Sequence, residues 1–403
     1  MISPAAVERL VADLVSIDSV NPALVPGGAG EGEVAAFVAR WLADAGLAVE
    51  VVEASPGRPS VVGTARGRGG GRTLMLNGHL DTVGVEGMRE PHVPHVRDGR
   101  LYGRGGYDMK AGVAACMLAA AAAVDAGLAG DVIVTAVADE EHASVGVQAV
   151  LERFRADACV VAEPTGLEVV VAHKGFAWWE IEAIGRAAHG SRPDLGVDAI
   201  AALGPVLVGV SELGRSLAAR PHALLGPGSV HASLISGGQE LSSYPDRCVL
   251  GLERRTVPGE AAEQLDAELE LLVAVGEERE PEGGQTPLKL GGAWPAAADP
   301  AGTARPAELR GRTTLVRAPF EVDPSEPIVV LLREQAAAHL GREARVQGHS
   351  AWMDAAFTSA AGIPTVVFGP SGAGAHEVEE WVDLASVRDC AEVLVATARA
   401  FCA

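Results

Sequence analysis

The sequence predicts an α/β fold in which a smaller α+β domain is inserted into a larger, discontinuous one. Over residues 1–177, apolar strand-like runs alternate with segments of helical periodicity. This alternation is typical of a doubly wound, mostly parallel sheet with helices on both faces. From Trp178 the pattern changes to a period of two, which indicates strands with one solvated face, and after about residue 319 the first pattern returns. We therefore expect one domain over residues 1–177 and 319–403 and an inserted domain over residues 178–318.

Turn and cap signals place the elements of the larger domain. Amphipathic helices are expected at residues 4–17 and 31–45, and strands at residues 47–54, 59–65, 73–79, 131–139 and 157–164. A hairpin turn at Asp98-Gly99 leads into a Gly-rich loop and a long Ala-rich helix that starts near Asp108, and a further helix covers residues 144–154. After the insertion we expect a helix from residue 326, a strand at 363–370 and a C-terminal helix from 384.

The inserted domain is expected to have the element order βαββαβ, a compact α+β unit. Its strands are predicted from residue 178, at 229–235, at 247–254 and at 313–318, and its helices at 197–217 and 260–275. A Gly/Pro-rich stretch separates the second helix from the last strand.

The composition argues against several classes of function. A formal net charge of −21 argues against nucleic acid or an anionic membrane as a partner. The sequence has no uninterrupted apolar run of about eighteen residues, and its N-terminus lacks the pattern of a secretory signal, so we expect a cytoplasmic protein. Five scattered cysteines without C-x-x-C spacing argue against a disulfide framework or a zinc finger.

His79 and Asp81 form an H-x-D pair at the end of an apolar strand-like run. Residues two apart on an extended backbone point the same way. A carboxylate beside an imidazole fixes the tautomer of a metal-bound histidine. A hydrogen-bonded histidine in a turn is the alternative interpretation of this pair.

Four more residues stand at comparable positions in the sequence. Asp108 follows a Gly-rich loop, where it could also be a helix N-cap; Glu141 and Glu163 end apolar runs; His376 follows a strand and a flexible loop. Taken singly, such residues are more often surface groups. Ligands gather at the carboxyl edge of an open α/β sheet, however, and five positions agree. They indicate a metal site formed by His79, Asp108, Glu141, Glu163 and His376.

The number of candidate ligands favours two metal ions. Two histidines and three carboxylates exceed the three protein ligands of one catalytic zinc. They suit two ions that share a carboxylate and activate a water, an arrangement that can hydrolyse an amide. Zinc fits the ligand mixture, and cobalt or manganese could replace it. Adjacent strand side chains point to opposite faces, so Glu140 and Glu141 should differ in role, one as ligand and one as general base.

The motifs GHLDTV, GRGGYDMKAG, ADEE, AEPT, AAHGS, RRTVP and FGPSGAGAH with EEW occur in this order across nearly the whole chain. In this ordered set the sequence resembles the dinuclear zinc peptidases and deacylases that include acetylornithine deacetylase, succinyl-diaminopimelate desuccinylase, aminoacylase and carboxypeptidase G2. The resemblance implies that His79 and Glu163 hold one metal, that Glu141 and His376 hold the other, and that Asp108 bridges them.

The resemblance also implies roles beyond the metal ligands. Asp81 would support His79, and Glu140 would take a proton from the bridging water and return it to the leaving amine. His189 would reach the active site of a neighbouring subunit and stabilise the oxyanion. Arg255 would bind the substrate carboxylate. The inserted domain would then be a lid and a dimerisation domain, and the protein a homodimer.

Three departures from the family pattern concern the substrate. Ser242 stands where the family often has asparagine, which makes it a candidate substrate contact. Trp352-Met353 replaces a small Gly-Thr pair, and His142 follows the metal ligand Glu141 in place of a small residue. Our hypothesis is a bulkier or less polar substrate pocket.

The sequence therefore predicts a metal-dependent amidohydrolase that acts on an N-acyl amino acid or a related small amide. A dipeptidase or carboxypeptidase of the same family is the alternative within enzymes. A metal-free binding or scaffold protein is the alternative from another class. The run RGRGGGR at residues 66–72 could suggest a nucleotide site, but no helix is predicted after it to supply an N-terminal anion site.

Overall fold

A computed structural model describes residues 1–277 and 307–403. In this part of the chain the strands are β1 (Ala48–Glu53), β2 (Pro59–Ala65), β3 (Leu74–His79), β4 (His95–Arg97), β5 (Arg100–Tyr102), β6 (Val132–Val137), β7 (Ala158–Val161), β8 (Val169–His173), β9 (Gly175–Ile184), β10 (Ser229–Gly237), β11 (Arg247–Thr256), β12 (Glu308–Arg317), β13 (Phe320–Glu321), β14 (Val346–His349), β15 (Thr365–Val367), β16 (Gly372–Ala373) and β17 (Trp381–Asp383). The helices are α1 (Pro4–Val15), α2 (Gly32–Asp44), α3 (Ala111–Ala123), α4 (Val145–Arg153), α5 (Ala199–Ala202), α6 (Gly204–Ala218), α7 (Ala262–Gly276), α8 (Pro327–Leu340), α9 (Ala355–Ala360) and α10 (Leu384–Phe401).

The described residues divide into two compact units. The first unit comprises Met1–Val171, Glu321–Gly348 and Met353–Ala403, and the second comprises Ala172–Phe320 and His349–Trp352. The predicted Gly/Pro-rich stretch of the inserted domain lies mainly outside the described residues.

The large sheet of the first unit has the strand order β1-β2-β6-β3-β7-β15-β8-β13, with β14 paired to β8. Its four central strands, β6, β3, β7 and β15, run parallel, whereas β1 and β2 join antiparallel on one side and β8 pairs antiparallel on the other. The predicted α/β class with a mainly parallel central sheet is confirmed.

Both faces of this sheet are buried, which explains why its central strands are almost continuously apolar. In β3, Leu74 and Leu76 belong to the main core together with residues of α1, α2, α3, α8 and α10. Met75 between them points to the opposite face and is also buried. Helix α3 packs so closely that a Cβ on Gly112 would lie 2.1 Å from the carbonyl oxygen of Ala162. Glycine at this position is what lets the helix approach the end of β7.

The parallel strands direct several predicted site residues to one edge of the sheet. Strand β3 ends at His79, β6 ends three residues before Glu140, and β7 ends two residues before Glu163. Their carboxyl ends meet at the same edge because the strands run in the same direction.

The second unit contains a four-stranded antiparallel sheet of order β10-β11-β9-β12. Helices α5, α6 and α7 supply the other half of its core, and buried and more exposed residues alternate along β9 and β11. The predicted helix at residues 197–217 is interrupted at Leu203, because Pro205 has no N–H for the preceding turn and instead starts α6. Strand β8, which comes directly before β9 in the chain, was not predicted from the sequence.

The helical stretch Ala199–Ala218 is long and apolar enough, by those two criteria alone, to cross a membrane. Core helices pass the same test. Within this stretch Val206, Leu213 and Leu217 are buried in the core of the second unit, so the apolar residues already have a structural role.

Candidate metal centre

His79 ends the fully buried strand β3, and its imidazole is enclosed by acceptors. Its Nδ1 lies 2.9 Å from the backbone carbonyl oxygen of Asp81, which fixes the ring and leaves Nε2 facing the site. Nε2 lies 3.2 Å from Asp108 Oδ1 and 3.7 Å from Glu163 Oε1. Burial lowers the pKa of His79, but its hydrogen bond with Asp108 and the charge of Glu163 outweigh that effect and leave the pKa well above its ordinary value.

The Asp81 carboxylate has a different set of contacts from the one predicted. Its Oδ1 is 3.6 Å from Nδ1 of His79, so the backbone oxygen of Asp81 makes the closer contact with the ring. The carboxylate instead accepts the backbone N–H of Glu140 at 3.0 Å and that of Glu141 at 3.2 Å. Asp81 therefore fixes both the histidine and the acidic loop that follows β6.

Asp108 lies in an irregular turn, Gly106–Lys110, directly before α3. Its two carboxylate oxygens face two different histidines: Oδ1 is 3.2 Å from Nε2 of His79, and Oδ2 is 3.4 Å from Nε2 of His376. Burial raises the pKa of this carboxyl, but the two histidines outweigh the burial and hold it well below its usual value.

Two groups of ligand atoms share Asp108. One comprises His79, Asp108 and Glu163, and the other comprises Asp108, Glu141 and His376; in each group the ligand atoms lie within 4.8 Å of one another. In the second group Nε2 of His376 lies 3.1 Å from Oε2 of Glu141. The structure thus brings together all five residues that the sequence singled out.

The charges and contacts of these groups fit a pair of metal ions. Oε1 of Glu141 is buried and has no hydrogen-bond partner among the described residues, so it is an available ligand atom. Burial raises the pKa values of Glu141 and Glu163. Hydrogen bonds to Asp108 and Glu141 raise the pKa of His376 to about 10. Buried carboxylates need cations nearby, and divalent ions bound to these oxygen and nitrogen atoms would supply them.

Glu140 lies beside the candidate ligands, and its carboxyl group is enclosed by the protein. Burial is the main cause that raises the pKa of this carboxyl. The charge of His79 lowers the pKa and the charge of Glu163 raises it, and the net result is a pKa well above the ordinary value. A carboxyl whose pKa is raised is suited to taking up and giving back a proton.

The loop that carries Asp108 is held by a residue to which the sequence assigned no role. The Glu380 carboxylate accepts the N–H groups of Gly105, Tyr107 and Asp108 at 3.0, 2.8 and 3.0 Å. It also pairs with Arg104 Nη1 at 2.6 Å, and both side chains are buried. Glu380 belongs to the EEW motif, which was the one sequence signal that this position is part of the family pattern. The motif does not reveal that Glu380 contacts the loop of Asp108.

The acidic loop after β6 is backed by a second set of unpredicted residues: Asn21, Glu31 and Arg58. Arg58 binds Glu31 and Asp139, and Asn21 donates to Asp81 and Asp139. Asp354, another buried acid of the first unit, has its pKa raised to about 7 by burial. His142 is exposed, with Nδ1 3.8 Å from Oδ1 of Asp139.

The remaining predicted site residues belong to the second unit. His189 is exposed, and its Nδ1 lies 2.8 Å from the Ser191 hydroxyl. Ser242 is exposed, and its carbonyl oxygen accepts the N–H of Gly190 at 2.6 Å, which brings Ser242 close to His189.

Arg255 pairs with Glu253 and lies over the ring of Phe176, 5.1 Å from its centroid. The neighbouring Arg254 points the other way and is fully buried, with Nε 2.8 Å from Oε2 of Glu268. Trp352 donates from Nε1 to the Ala318 carbonyl oxygen at 3.0 Å and meets Phe176 edge-on at 6.3 Å. Arg255 and Trp352 therefore belong to one cluster of aromatic and cationic groups.

Comparison with known proteins agrees with this geometry. The model of peptidase family M20/M25/M40 matches residues 75–400. The chain belongs to this family. The resemblance inferred from the ordered motifs is thereby confirmed.

Individual proteins of known sequence or structure are also similar to this chain. The acetylornithine deacetylase of Vibrio atlanticus (strain LGP32) is 32% identical over 263 residues, which are 63% of this chain and 68% of that protein. The N-formyl-4-amino-5-aminomethyl-2-methylpyrimidine deformylase of Bacillus subtilis (strain 168) is 26% identical over 390 residues, 90% of this chain and 87% of that protein. The crystal structure of a tripeptidase from Staphylococcus aureus subsp. aureus mu50 matches with a TM-score of 0.76 and 21% identity, covering 100% of this chain and 99% of that chain.

Proposed function

We propose that this protein is a metal-dependent amidohydrolase that cleaves the amide bond of an N-acyl amino acid or a related small amide. One observation carries the proposal: the two oxygens of Asp108 face two histidines, at 3.2 and 3.4 Å, and each histidine has a further carboxylate beside it. This is the arrangement that two metal ions sharing one carboxylate require.

His79 and Glu163 would hold one divalent ion, Glu141 and His376 the other, with Asp108 shared. Zinc suits two histidines and three carboxylates, and cobalt or manganese could serve in its place. Such ions lower the pKa of a water and polarise a carbonyl oxygen.

Glu140 is the proposed general base. Its carboxylate would accept a proton from the attacking water and later return that proton to the nitrogen of the leaving amine. Asp81 binds the backbone N–H of Glu140 and of Glu141, so one carboxylate sets the positions of both the base and a ligand.

The first unit would be the catalytic domain predicted for residues 1–177 and 319–403, and the second the lid and dimerisation domain predicted for residues 178–318. In the second unit Arg255 would bind the substrate carboxylate, Ser242 would contact the substrate, and His189 would stabilise the oxyanion in a neighbouring subunit's site. The exposure of Ser242 and His189 supports these roles, because solvent-accessible side chains can meet another molecule.

A homodimer through the second unit is part of the proposal. Strand β10 lies at the edge of its sheet and exposes two large apolar side chains, Leu234 at 75% and Ile235 at 56%. An exposed apolar edge strand is a template for pairing with another chain. We also expect a cytoplasmic enzyme. A net charge of −21 supports the expectation that it binds neither nucleic acid nor an anionic membrane.

The substrate class is proposed from the relatives and from the site. The acetylornithine deacetylase and the deformylase both act, by their names, on small acylated amines. Trp352 and Phe176 beside Arg255 favour a substrate with a flat or apolar group next to its carboxylate.

The test combines metal analysis with a substrate panel. The purified protein is analysed for metals and assayed on N-acetyl, N-formyl and N-succinyl amino acids and on dipeptides, with Glu140→Gln as the matched variant. About two metals per chain, and turnover that is lost in Glu140→Gln while metal is retained, are expected. Preference for substrates with a free amine would instead favour the dipeptidase or carboxypeptidase. Absence of both metal and turnover after zinc or cobalt is added back would favour the binding-protein alternative.

A further inference from the structure

A buried polar network lies behind the loop that carries Glu140 and Glu141. It comprises Asn21, Glu31, Arg58, Asp81 and Asp139, and we call it the loop clamp. Four of its side chains are buried and Arg58 is 12% exposed. Residues Glu31 and Arg58 come from the start of α2 and the segment before β2, far from the acidic loop in sequence.

Arg58 is the only cation of the loop clamp, and it binds two carboxylates at once. Its Nε and Nη2 donate to the two oxygens of Glu31 at 2.8 and 2.7 Å, in the bidentate geometry that suits a guanidinium. Nη2 also donates to Oδ1 of Asp139 at 2.7 Å, and Glu31 in turn accepts the N–H of Asp139 at 3.2 Å. Asp139 is thus held through both its side chain and its backbone.

Asn21 connects Asp139 to Asp81. Its Nδ2 donates to Oδ2 of Asp81 at 2.8 Å and to Oδ1 of Asp139 at 3.0 Å. Asp81 accepts the backbone N–H groups of Glu140 and Glu141. A continuous chain of hydrogen bonds therefore runs from Arg58 to the backbone of the proposed base and of one proposed ligand.

The backbone of the acidic loop depends on such support. Asp139 has φ +69°, in the left-handed region that residues other than glycine rarely adopt. A conformation of this kind persists when the surrounding contacts over-determine it. The hydrogen bonds of the loop clamp reach Glu140 and Glu141 through the Asp81 carboxylate, whereas Glu163 and His376 are supplied by other loops. Asp81 also contacts Nδ1 of His79, at 2.9 Å, but with its backbone oxygen and within one short segment of chain, so this contact does not use the carboxylate that Asn21 binds.

We propose that Arg58 is a positioning residue that sets the places of Glu140 and Glu141, and that it thereby controls the metal position formed by Glu141 and His376 more strongly than the one formed by His79 and Glu163. This inference rests on the proposed function for the assignment of the two metal positions. Arg58 acts through Asp139, Asn21 and Asp81.

Whether the affinity for a divalent cation rises or falls when Arg58 is replaced distinguishes a positioning role from a purely electrostatic one. Replacing Arg58 by a neutral residue removes one positive charge from an acidic centre. If charge alone mattered, a divalent cation would then bind more tightly, because the repulsion between it and Arg58 is gone. Loss of positioning weakens binding instead, because Glu141 no longer holds its oxygens at the right place.

The experiment measures cobalt binding in Arg58→Met and Arg58→Lys. The control is Arg153→Met, which removes an exposed Arg–Glu pair with the same N–O distance of 2.7 Å, to Glu50. Cobalt affinity is measured by calorimetry on metal-depleted protein, and anomalous diffraction at limiting cobalt gives the occupancy of each position. In Arg58→Met we expect affinity at the Glu141–His376 position to fall by about 10- to 100-fold. The other position should change much less, and Arg153→Met should match the wild type at both.

Arg58→Lys should lie between the wild type and Arg58→Met, since a lysine keeps the charge but not the planar fork. If Arg58→Met does not fold, Arg58→Met/Glu31→Met removes the buried pair as a unit and is measured in its place. Tighter binding, unchanged binding or an equal loss at both positions would each overturn the proposal. Because cobalt binding needs no substrate, a wild-type protein that binds two ions but hydrolyses no amide would refute the proposed function alone.

Discussion

Replacing Glu380 by glutamine tests how the Asp108 loop is held. The change keeps the size of the side chain and removes its charge. In the native protein one oxygen accepts from Arg104 and from the N–H of Gly105, and the other accepts from the N–H groups of Tyr107 and Asp108. A glutamine can keep an oxygen toward only one of these pairs, and its NH2 group then faces two donors.

The expected loss in the free energy of unfolding follows from the hydrogen-bond donors that are left without an acceptor. Two donors lose their partner, and an unsatisfied buried donor costs about 1–3 kcal/mol. When Arg104 is one of them, a buried ion pair is broken, which costs about 3–5 kcal/mol. Both estimates place the expected loss in the free energy of unfolding at about 4 kcal/mol. Turnover should fall as well, because Asp108 is the proposed shared ligand of both metal positions.

The assay is urea unfolding of the metal-loaded protein, combined with hydrogen exchange of the loop amides. Arg104→Met and the double variant Arg104→Met/Glu380→Gln complete a double-mutant cycle, whose coupling energy isolates the pair. The Asp108 amide should exchange faster in Glu380→Gln. A change in unfolding free energy below about 1 kcal/mol, with normal exchange at Asp108, would refute the reasoning, since it would mean that the four contacts are not needed.

Three further predictions follow from other parts of the structure. Removal of metal by a chelator should lower the midpoint of thermal unfolding and abolish turnover, and zinc should restore both. An ion present at about 1,000 times its Kd stabilises the folded protein by about 4 kcal/mol, so equal midpoints with and without chelator would contradict two bound ions. Gly112→Ala should destabilise the protein by about 1–3 kcal/mol or more in denaturant unfolding, because the new Cβ would meet the Ala162 carbonyl oxygen. Gly32→Ala, at a helical position with open space around it, is the control without a clash, and an equal change in unfolding free energy in both variants would rule out the clash. The five cysteines are buried and free, and burial raises the pKa of each thiol. A thiol reagent at about pH 8 should therefore modify them only after unfolding, and rapid reaction of the native protein would contradict their burial.

The sequence was most informative where local signals sufficed. Apolar runs that stop at a polar residue located the ends of β3 and β7, and with them His79 and Glu163. Parallel pairing then brought these residues together, which is a general property of α/β sheets rather than a detail of this chain. The short strand β8 was missed although its run is apolar, because a stretch of five residues carries little periodicity.

The supporting contacts could not be predicted, because they join distant segments. Arg58 and Asp139 are 81 residues apart, and Glu31 and Asp139 are 108 apart. Nothing beside Arg58 or Glu31 in the sequence distinguishes them from surface charges, for which solvated positions are the rule. Only the fold shows that they are enclosed and paired.

The position of β15 has a consequence for how the chain is made. This strand comes late in the sequence but lies between β7 and β8, pairing with both. On the ribosome, β7 and β8 are complete about two hundred residues before β15 emerges, and the second unit is synthesised in the interval. Until then each of the two strands lacks this neighbour, and open strand edges are sites of mispairing and aggregation. A chain that stops before Thr365 would also lack His376, so incomplete products should fail to assemble the metal centre and be open to proteolysis.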